Sequence, residues 1–253
     1  MSVTTTRHPG GVAEIVVDAP PVNALTVQGW FDLAAAVAAA GRDPGVHAVV
    51  LRAEGRGFNA GVDIKEIHAA GSSSALLGAN RGCAAAFAAV YDCAVPVVAA
   101  VQGFCLGGGI GLVGNADAVI AAEGAEFGLP EVDRGALGAA THLARLVPPH
   151  RLRTMVYTCR NATAEELHSY GSVHAVVPAG QLRAAAMELA GEIAAKDPEV
   201  IRSAKESLNG IDPVDVKRSY RFEQGFTFEL GLSGAGDTHR SAFAAGSNGS
   251  EAG

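Results

Sequence analysis

The run Pro96-Val-Val-Ala-Ala-Val-Gln-Gly-Phe-Cys-Leu-Gly107-Gly-Gly-Ile-Gly111-Leu-Val-Gly-Asn-Ala-Asp117 decides how this chain is read. Its first part, Pro96 to Val101, is apolar without alternation, the pattern of a short strand covered on both faces. Three consecutive glycines, Gly107 to Gly109, then let backbone N–H groups approach a ligand closely. From Gly109 onward the residues start a helix, whose unpaired amides and positive dipole end face whatever binds there. Strand, glycines and helix start give the geometry of an oxyanion hole.

The same letters admit a second reading, because Gly109-Ile-Gly111-Leu-Val-Gly114 matches the G-x-G-x-x-G dinucleotide fingerprint. That fingerprint counts only within a strand-helix-strand unit, with a ribose-binding acid about 20 residues on. Here the next apolar run, Ala118 to Ala122, begins too soon for a crossover helix. Glycines serving only tight strand-helix packing would be the third reading if the cluster stood alone.

Around this stretch, 253 residues with 49% hydrophobic content allow one sizeable core and a small helical appendage. A net charge of −7 without a basic run argues against nucleic acid as a partner. No run of apolar residues is long enough to span a membrane, and the N-terminus lacks the apolar core of a signal peptide, so a cytoplasmic protein is expected. Cys83, Cys93, Cys105 and Cys159 show neither C-x-x-C spacing nor an accompanying histidine cluster. Free, mostly buried thiols and no metal site are expected.

Outward from the glycines, Val12 to Val17 and His47 to Leu51 read as strands, with a helix from Thr26 to Ala40 between them. Ser72 to Ser74 reads as a mobile loop and Leu76 to Asp92 as a helix. Beyond the glycine stretch, helices are expected over Leu137 to Val147, Pro149 to Thr158 and Gln181 to Ala195. Thr163 to Glu166 forms a capping box that opens a further short helix. Asp197-Pro198 and Asp212-Pro213 each read as an N-cap followed by proline at the first helical position. Periodicity alone therefore gives mixed α/β with a helical C-terminal third. The tail from about Gly231, rich in Gly, Ser and Ala, is expected to be weakly ordered.

Three linked motifs resemble the crotonase (enoyl-CoA hydratase/isomerase) superfamily: Ala60-Gly-Val62-Asp63-Ile64 after the second strand, the triple-glycine run, and Phe127-Gly-Leu-Pro-Glu131. The resemblance extends from about Val12 to Phe228. It implies a crotonase-like spiral of ββα units over 1–195 carrying a CoA-thioester site. A C-terminal helical region over 196–253 would serve oligomerisation and a lid, in homotrimers or hexamers built as dimers of trimers. No cofactor is implied beyond the CoA moiety of an acyl-CoA substrate.

Residue by residue, the resemblance places the oxyanion amides on Val62 and Gly108. Ala60, Asp63, Ile64, Lys65 and Gly107 fall around the CoA moiety, with a solvated surface charge as the competing reading of Lys65. Leu137, Gly111 and Phe226 would line the acyl pocket, although core or subunit packing is the commoner use of an aromatic such as Phe226. Family hydratases hold water between two glutamates. The second is present as Glu131, and Gly111 stands where the first would be. One carboxylate cannot run the paired acid and base work of simple hydration, but it suits other reactions through a CoA-ester enolate. Glu131 is thus the expected acid/base, with Asp133 and His142 as candidates for a second group.

The strings from Arg52 to Glu66 and from Phe127 to Leu143 are similar, within the family, to actinobacterial paralogues of steroid (cholesterol) ring catabolism. These open the five-membered ring of a bicyclic keto-CoA by hydrolytic C–C cleavage of retro-Claisen type. The leading expectation is such a β-diketone hydrolase. Its alternatives are an enoyl-CoA hydratase or isomerase on simpler acyl chains, and a non-catalytic CoA-ester-binding or RNA-binding relative.

Overall fold

The computed structural model describes residues 1–70 and 73–234. The chain opens with β1 (Ser2–His8), β2 (Val12–Asp18), α1 (Val27–Arg42), β3 (Ala48–Ala53), α2 (Ile64–Ala70) and α3 (Ser73–Tyr91). The glycine stretch supplies β4 (Val97–Val101), β5 (Phe104–Leu106) and α4 (Gly108–Val113), followed by β6 (Ala118–Ala122) and β7 (Glu126–Gly128). Then come α5 (Ala140–Leu143), α6 (Pro149–Thr158), β8 (Ala162–Thr163), α7 (Ala164–Ser169) and β9 (Ala175–Val177). Three helices close the described chain: α8 (Leu182–Ala194), α9 (Pro198–Ile211) and α10 (Val216–Leu232).

The main sheet runs β1-β2-β3-β4-β6-β9, antiparallel at β1-β2 and parallel thereafter. A small sheet, β5-β7-β8, stands beside it. Parallel strands covered on both faces need apolar residues at successive positions, and β4 is buried along its whole length. Alternate residues divide between two cores. Ile15, Leu51, Ala99 and Ala121 face α1 and α3, while Val50, Val98 and Ile120 meet Leu182, Ala186 and Ala190 of α8. Helix α8 is pinned to the sheet by Arg183, whose Nε and Nη2 each donate at 2.7 Å to the buried carboxylate of Glu14. Bonds from Arg183, Arg52 and His8 outweigh burial there and lower the Glu14 pKa to about 2.

The long crossover helix of a dinucleotide fold is absent here: β4 and β6 pair in parallel, but the connection between them carries only the short α4, Gly108–Val113. Several local readings change. The N-terminal residues form β1, which lacked a clean alternating pattern. The helix expected over Leu137 to Val147 shrinks to α5, because Gly138 and a left-handed Ala139 (φ 62°) hold the chain out of helix before it. Asp212 follows α9 instead of opening the last helix, and Asp215 is the N-cap of α10, accepting from Arg218 N–H at 2.9 Å. Ser73 and Ser74 belong to α3, while Ser72 lies outside the described residues. Of the tail, Gly231 and Leu232 complete α10 and 235–253 lie outside the described residues. Cys83, Cys93 and Cys105 are buried free thiols, and Cys159 is partly exposed.

Candidate active site

Two loops meet here, one following β3 and one between β5 and α4. In the first, Asn59 acts as a brace: its Oδ1 accepts Gly61 N–H at 2.8 Å and its Nδ2 donates to Asn23 O at 2.6 Å. Leu25 N–H then donates to Gly61 O, and Asp63 N–H to Leu25 O, each at 2.9 Å. Val62 N–H, between these tethered groups, has no acceptor among the described residues. In the second loop Gly107 N–H donates to Gly128 O at 3.0 Å, while Gly108 N–H, in the first turn of α4, is also left without an acceptor. The loops abut so closely that a β-carbon on Gly61 would lie 3.1 Å from Gly108 N. Beneath them, the buried Trp30 ring occupies the space a Gly108 side chain would need.

Val62, Gly107, Gly108, Glu131, Leu137 and Tyr220 contribute to one cavity of about 140 Å³. Glu131 sits at the start of a short 3-10 turn, Val132–Arg134, that follows β7. Its Oε2 is sealed from solvent without a hydrogen-bond partner. Burial raises its pKa to about 8, and Glu223 adds to the rise, while its own backbone N–H and Arg134 oppose it. Among the described lining residues Glu131 is the one carboxylate. A carboxyl that holds its proton to near neutrality, beside two unpaired amides, can exchange a proton with a substrate whose oxyanion those amides stabilise.

The wall over this cavity is set from α10. Thr227 Oγ1 accepts Leu137 N–H at 3.1 Å and donates to Leu137 O at 2.6 Å. Glu223 accepts from Ala140 N–H at 2.9 Å and from Thr141 N–H at 3.2 Å. Thr227, Tyr220 and Cys83 also face the cavity; Tyr220 belongs to the final-helix aromatics that the sequence offers as packing or lid, while the sequence singles out neither Thr227 nor Cys83 for the site. Cys83 and Phe87 share the inner face of α3 at a four-residue step, the one pattern that could have drawn attention to them.

The other expected positions are distributed differently. Ala60 and Ile64 line the cavity. Asp63 and Lys65 do not: the Asp63 carboxylate accepts the Lys65 N–H at 2.9 Å as a helix cap, and Lys65 is exposed. Asp133 is exposed and interacts with Cys159, away from Glu131. Gly111 is buried with its α-carbon against the Phe87 ring, which fills the space of any side chain there, so Gly111 opens no room for an acyl group. Phe226 is 41% exposed and stacks edge-on against Phe222, with ring centroids 5.2 Å apart, outside the cavity. His142 is buried but lies in an adjoining space beyond Phe87 and Tyr220. No cluster among the described residues could hold a metal ion, and no described helix is long and apolar enough to cross a membrane.

This pairing of a largely parallel-sheet core with two convergent loop amides and one glutamate whose Oε2 is sealed from solvent defines a class. The chain belongs to the enoyl-CoA hydratase/isomerase family, which it matches over residues 7–225. It is 65% identical over 243 residues to the (7aS)-7a-methyl-1,5-dioxo-2,3,5,6,7,7a-hexahydro-1H-indene-carboxyl-CoA hydrolase of Rhodococcus jostii, covering 96% of this chain and 94% of the relative. To the hydrolase of the same name from Mycobacterium tuberculosis it is 60% identical, covering 96% and 98% of the two chains. Among solved structures, an enoyl-CoA hydratase/isomerase from Xanthobacter autotrophicus Py2 aligns with a TM-score of 0.86 at 29% identity, over 95% of this chain and 90% of that one.

Proposed function

We propose that this chain is a hydrolase that opens a ring of a bicyclic, steroid-derived keto acyl-CoA. The observation that carries the reading is its 65% identity, over nearly the whole length of both chains, to a relative named for that substrate. The site supplies a chemical route that fits.

In that route the thioester oxygen lies between Val62 N–H and Gly108 N–H. Glu131, as carboxylate, takes a proton from water, and the hydroxide attacks a ring ketone. The tetrahedral adduct collapses by breaking the ring C–C bond to that carbon. The bonding electrons run along the conjugated path into the thioester carbonyl, giving an enolate that the two amides stabilise. The ketone carbon leaves the cycle as a carboxylic acid. Glu131 then returns its proton to carbon, so one water is consumed and one carboxyl group cycles. Amides aimed at a developing oxyanion contribute about 2.7 to 4 kcal/mol each in other enzymes.

Simple hydration is the weaker reading, because the cavity offers Glu131 without a second carboxylate. The CoA moiety would approach along Ala60, Ile64 and Gly107. The exposed Phe222 and Phe226, with Leu208 and Ile211, suit a subunit interface in the homotrimer or hexamer that the family resemblance implies. The test is incubation with a bicyclic keto-CoA and, separately, with crotonyl-CoA, following product mass. Gain of one water with a new carboxyl group on the ring substrate is expected. Turnover confined to crotonyl-CoA would sink the proposal.

A further inference from the structure

Behind Phe87 and Tyr220 lies a second cavity, of about 190 Å³, that the route above leaves unused. Both rings line this space and the thioester cavity alike, so these two side chains stand between them. Its walls are mostly apolar, with Ala84, Ala88 and Val216 beside the aromatic pair. An apolar cavity of about 150 Å³ is large enough to take up benzene, so a six-membered ring fits.

Four polar side chains besides Tyr220 interrupt this lining, His142, Asn115, Lys217 and Arg221. Lys217 is engaged by Asp92 and Arg221 by Gln224, whereas His142 and Asn115 keep buried atoms without partners. His142 is 1% exposed, and neither Nδ1 nor Nε2 has a hydrogen-bond partner. Its ring packs against Phe87 and Tyr220, with centroids 4.9 and 5.0 Å away. Asn115 donates from Nδ2 to Phe87 O at 3.1 Å, yet its buried Oδ1 accepts nothing. Each such orphan is costly unless a ligand or water completes it. Burial holds the His142 pKa down to about 3, so the imidazole is neutral and offers one N–H donor and one acceptor nitrogen. The neutral imidazole N–H suits an uncharged carbonyl oxygen, and the two cations of the lining, Lys217 and Arg221, are already engaged by Asp92 and Gln224.

We infer that this cavity is the distal compartment of the acyl site, and that the His142 ring N–H donates to a carbonyl oxygen on the substrate's alicyclic ring once Phe87 and Tyr220 part to admit it. The inference rests on the ring-opening reading, whose substrate class carries ring ketones apart from the thioester. It makes His142 a specificity residue, touching the ring and not the proton exchanged by Glu131. A site built to bond a particular polar group discriminates strongly against analogues lacking it, because its own buried donor is then left unpaired.

The test uses the full chain with three probes: acetyl-CoA, which has a thioester and no ring; cyclohexanone, a ring ketone without CoA; and the bicyclic keto-CoA. Cyclohexanone is expected to shift the His142 ring nitrogen resonances, and to compete with the bicyclic keto-CoA but not with acetyl-CoA. His142→Phe keeps the aromatic packing and removes the donor. It is expected to raise KM for the bicyclic substrate roughly tenfold or more, with a smaller change in kcat and unchanged acetyl-CoA affinity. Ala88→Leu narrows the chamber from another wall and is expected to raise the same KM, which covers the case of a misfolded His142 variant.

A cyclohexanone shift without competition would mark an independent site and overturn the inference. So would the absence of any shift, with water alone on His142, or a wild-type KM in both variants. If Glu131→Gln abolishes ring opening while both cavity variants keep the wild-type KM, the inference fails and the proposed function stands. If the bicyclic substrate displaces cyclohexanone but is never cleaved, the function fails and the compartment stands.

Discussion

Glu131 Oε1 rests against the α-carbon of Gly107, so that a β-carbon there would lie 2.5 Å from that oxygen. The contact joins the acid/base to the loop that carries the Gly108 amide. Gly107 also sits at φ 56°, where a side chain is strained whatever the space around it. Gly107→Ala should therefore displace both Glu131 and the oxyanion amide, lowering turnover of the ring substrate by on the order of 10². Steady-state kinetics on a variant shown by circular dichroism to be folded checks this, and wild-type turnover would separate Gly107 from the chemistry.

Glu131→Gln should leave acyl-CoA binding near normal while turnover falls by on the order of 10² or more. The pH dependence follows from the raised pKa. Between the ordinary carboxylate value of 4.5 and about 8, the folded state holds a proton that the unfolded state has lost. This group's contribution to stability therefore declines as pH rises through that window, by a few kcal/mol in total. Glutamine carries no such penalty. Thermal melts at pH 5 and pH 9 should show wild type losing stability relative to the variant at the higher pH. In wild type, kcat/KM should climb through about pH 8 as the base ionises.

Gly111 should behave as a packing residue. Any side chain there meets the buried Phe87 ring, so Gly111→Ala is expected to destabilise the fold by about 1–3 kcal/mol, as overpacking does in other cores. Phe87→Leu in the same chain should recover part of that loss, read as a non-additive pair in denaturant unfolding. Crotonyl-CoA hydration by wild type should be negligible, since the described cavity presents one carboxylate where paired acid and base work is needed.

What could be read from sequence was set by local chemistry. The apolar run Val97–Val101 and the glycines after it announce a buried strand and, past the short β5, a loop of free amides, because both features depend on neighbours in the chain. Thr163 and Asp197 cap their helices as their spacing implies, accepting from Glu166 N–H and from Glu199 and Val200 N–H. The far wall of the site was not legible. Thr227 reaches Leu137 across 90 positions, and no local pattern encodes that pairing. His142 was legible as an unusual residue but not as one screened from Glu131 by Phe87 and Tyr220. Gly111 misled for the same reason: a missing side chain reads as open space until the residue that fills it, here Phe87, is known.

Thr227 gives the clearest test of how α10 shapes the site. Its hydroxyl accepts Leu137 N–H and donates to Leu137 O, completing two backbone groups with one side chain that is itself 4% exposed. Thr227→Val keeps the shape and removes both bonds, leaving two partly buried backbone groups unpaired at about 1–3 kcal/mol each. The loop is tied to the acid/base through Ala136 N–H, which donates to Glu131 O at 2.9 Å. The variant should therefore raise KM severalfold and lower kcat less, with faster amide exchange at Leu137. Thr227→Ser retains the hydroxyl and should restore both constants. Equal losses in the valine and serine variants would mean that the methyl group, and not the hydrogen-bonded clamp, is what the loop requires.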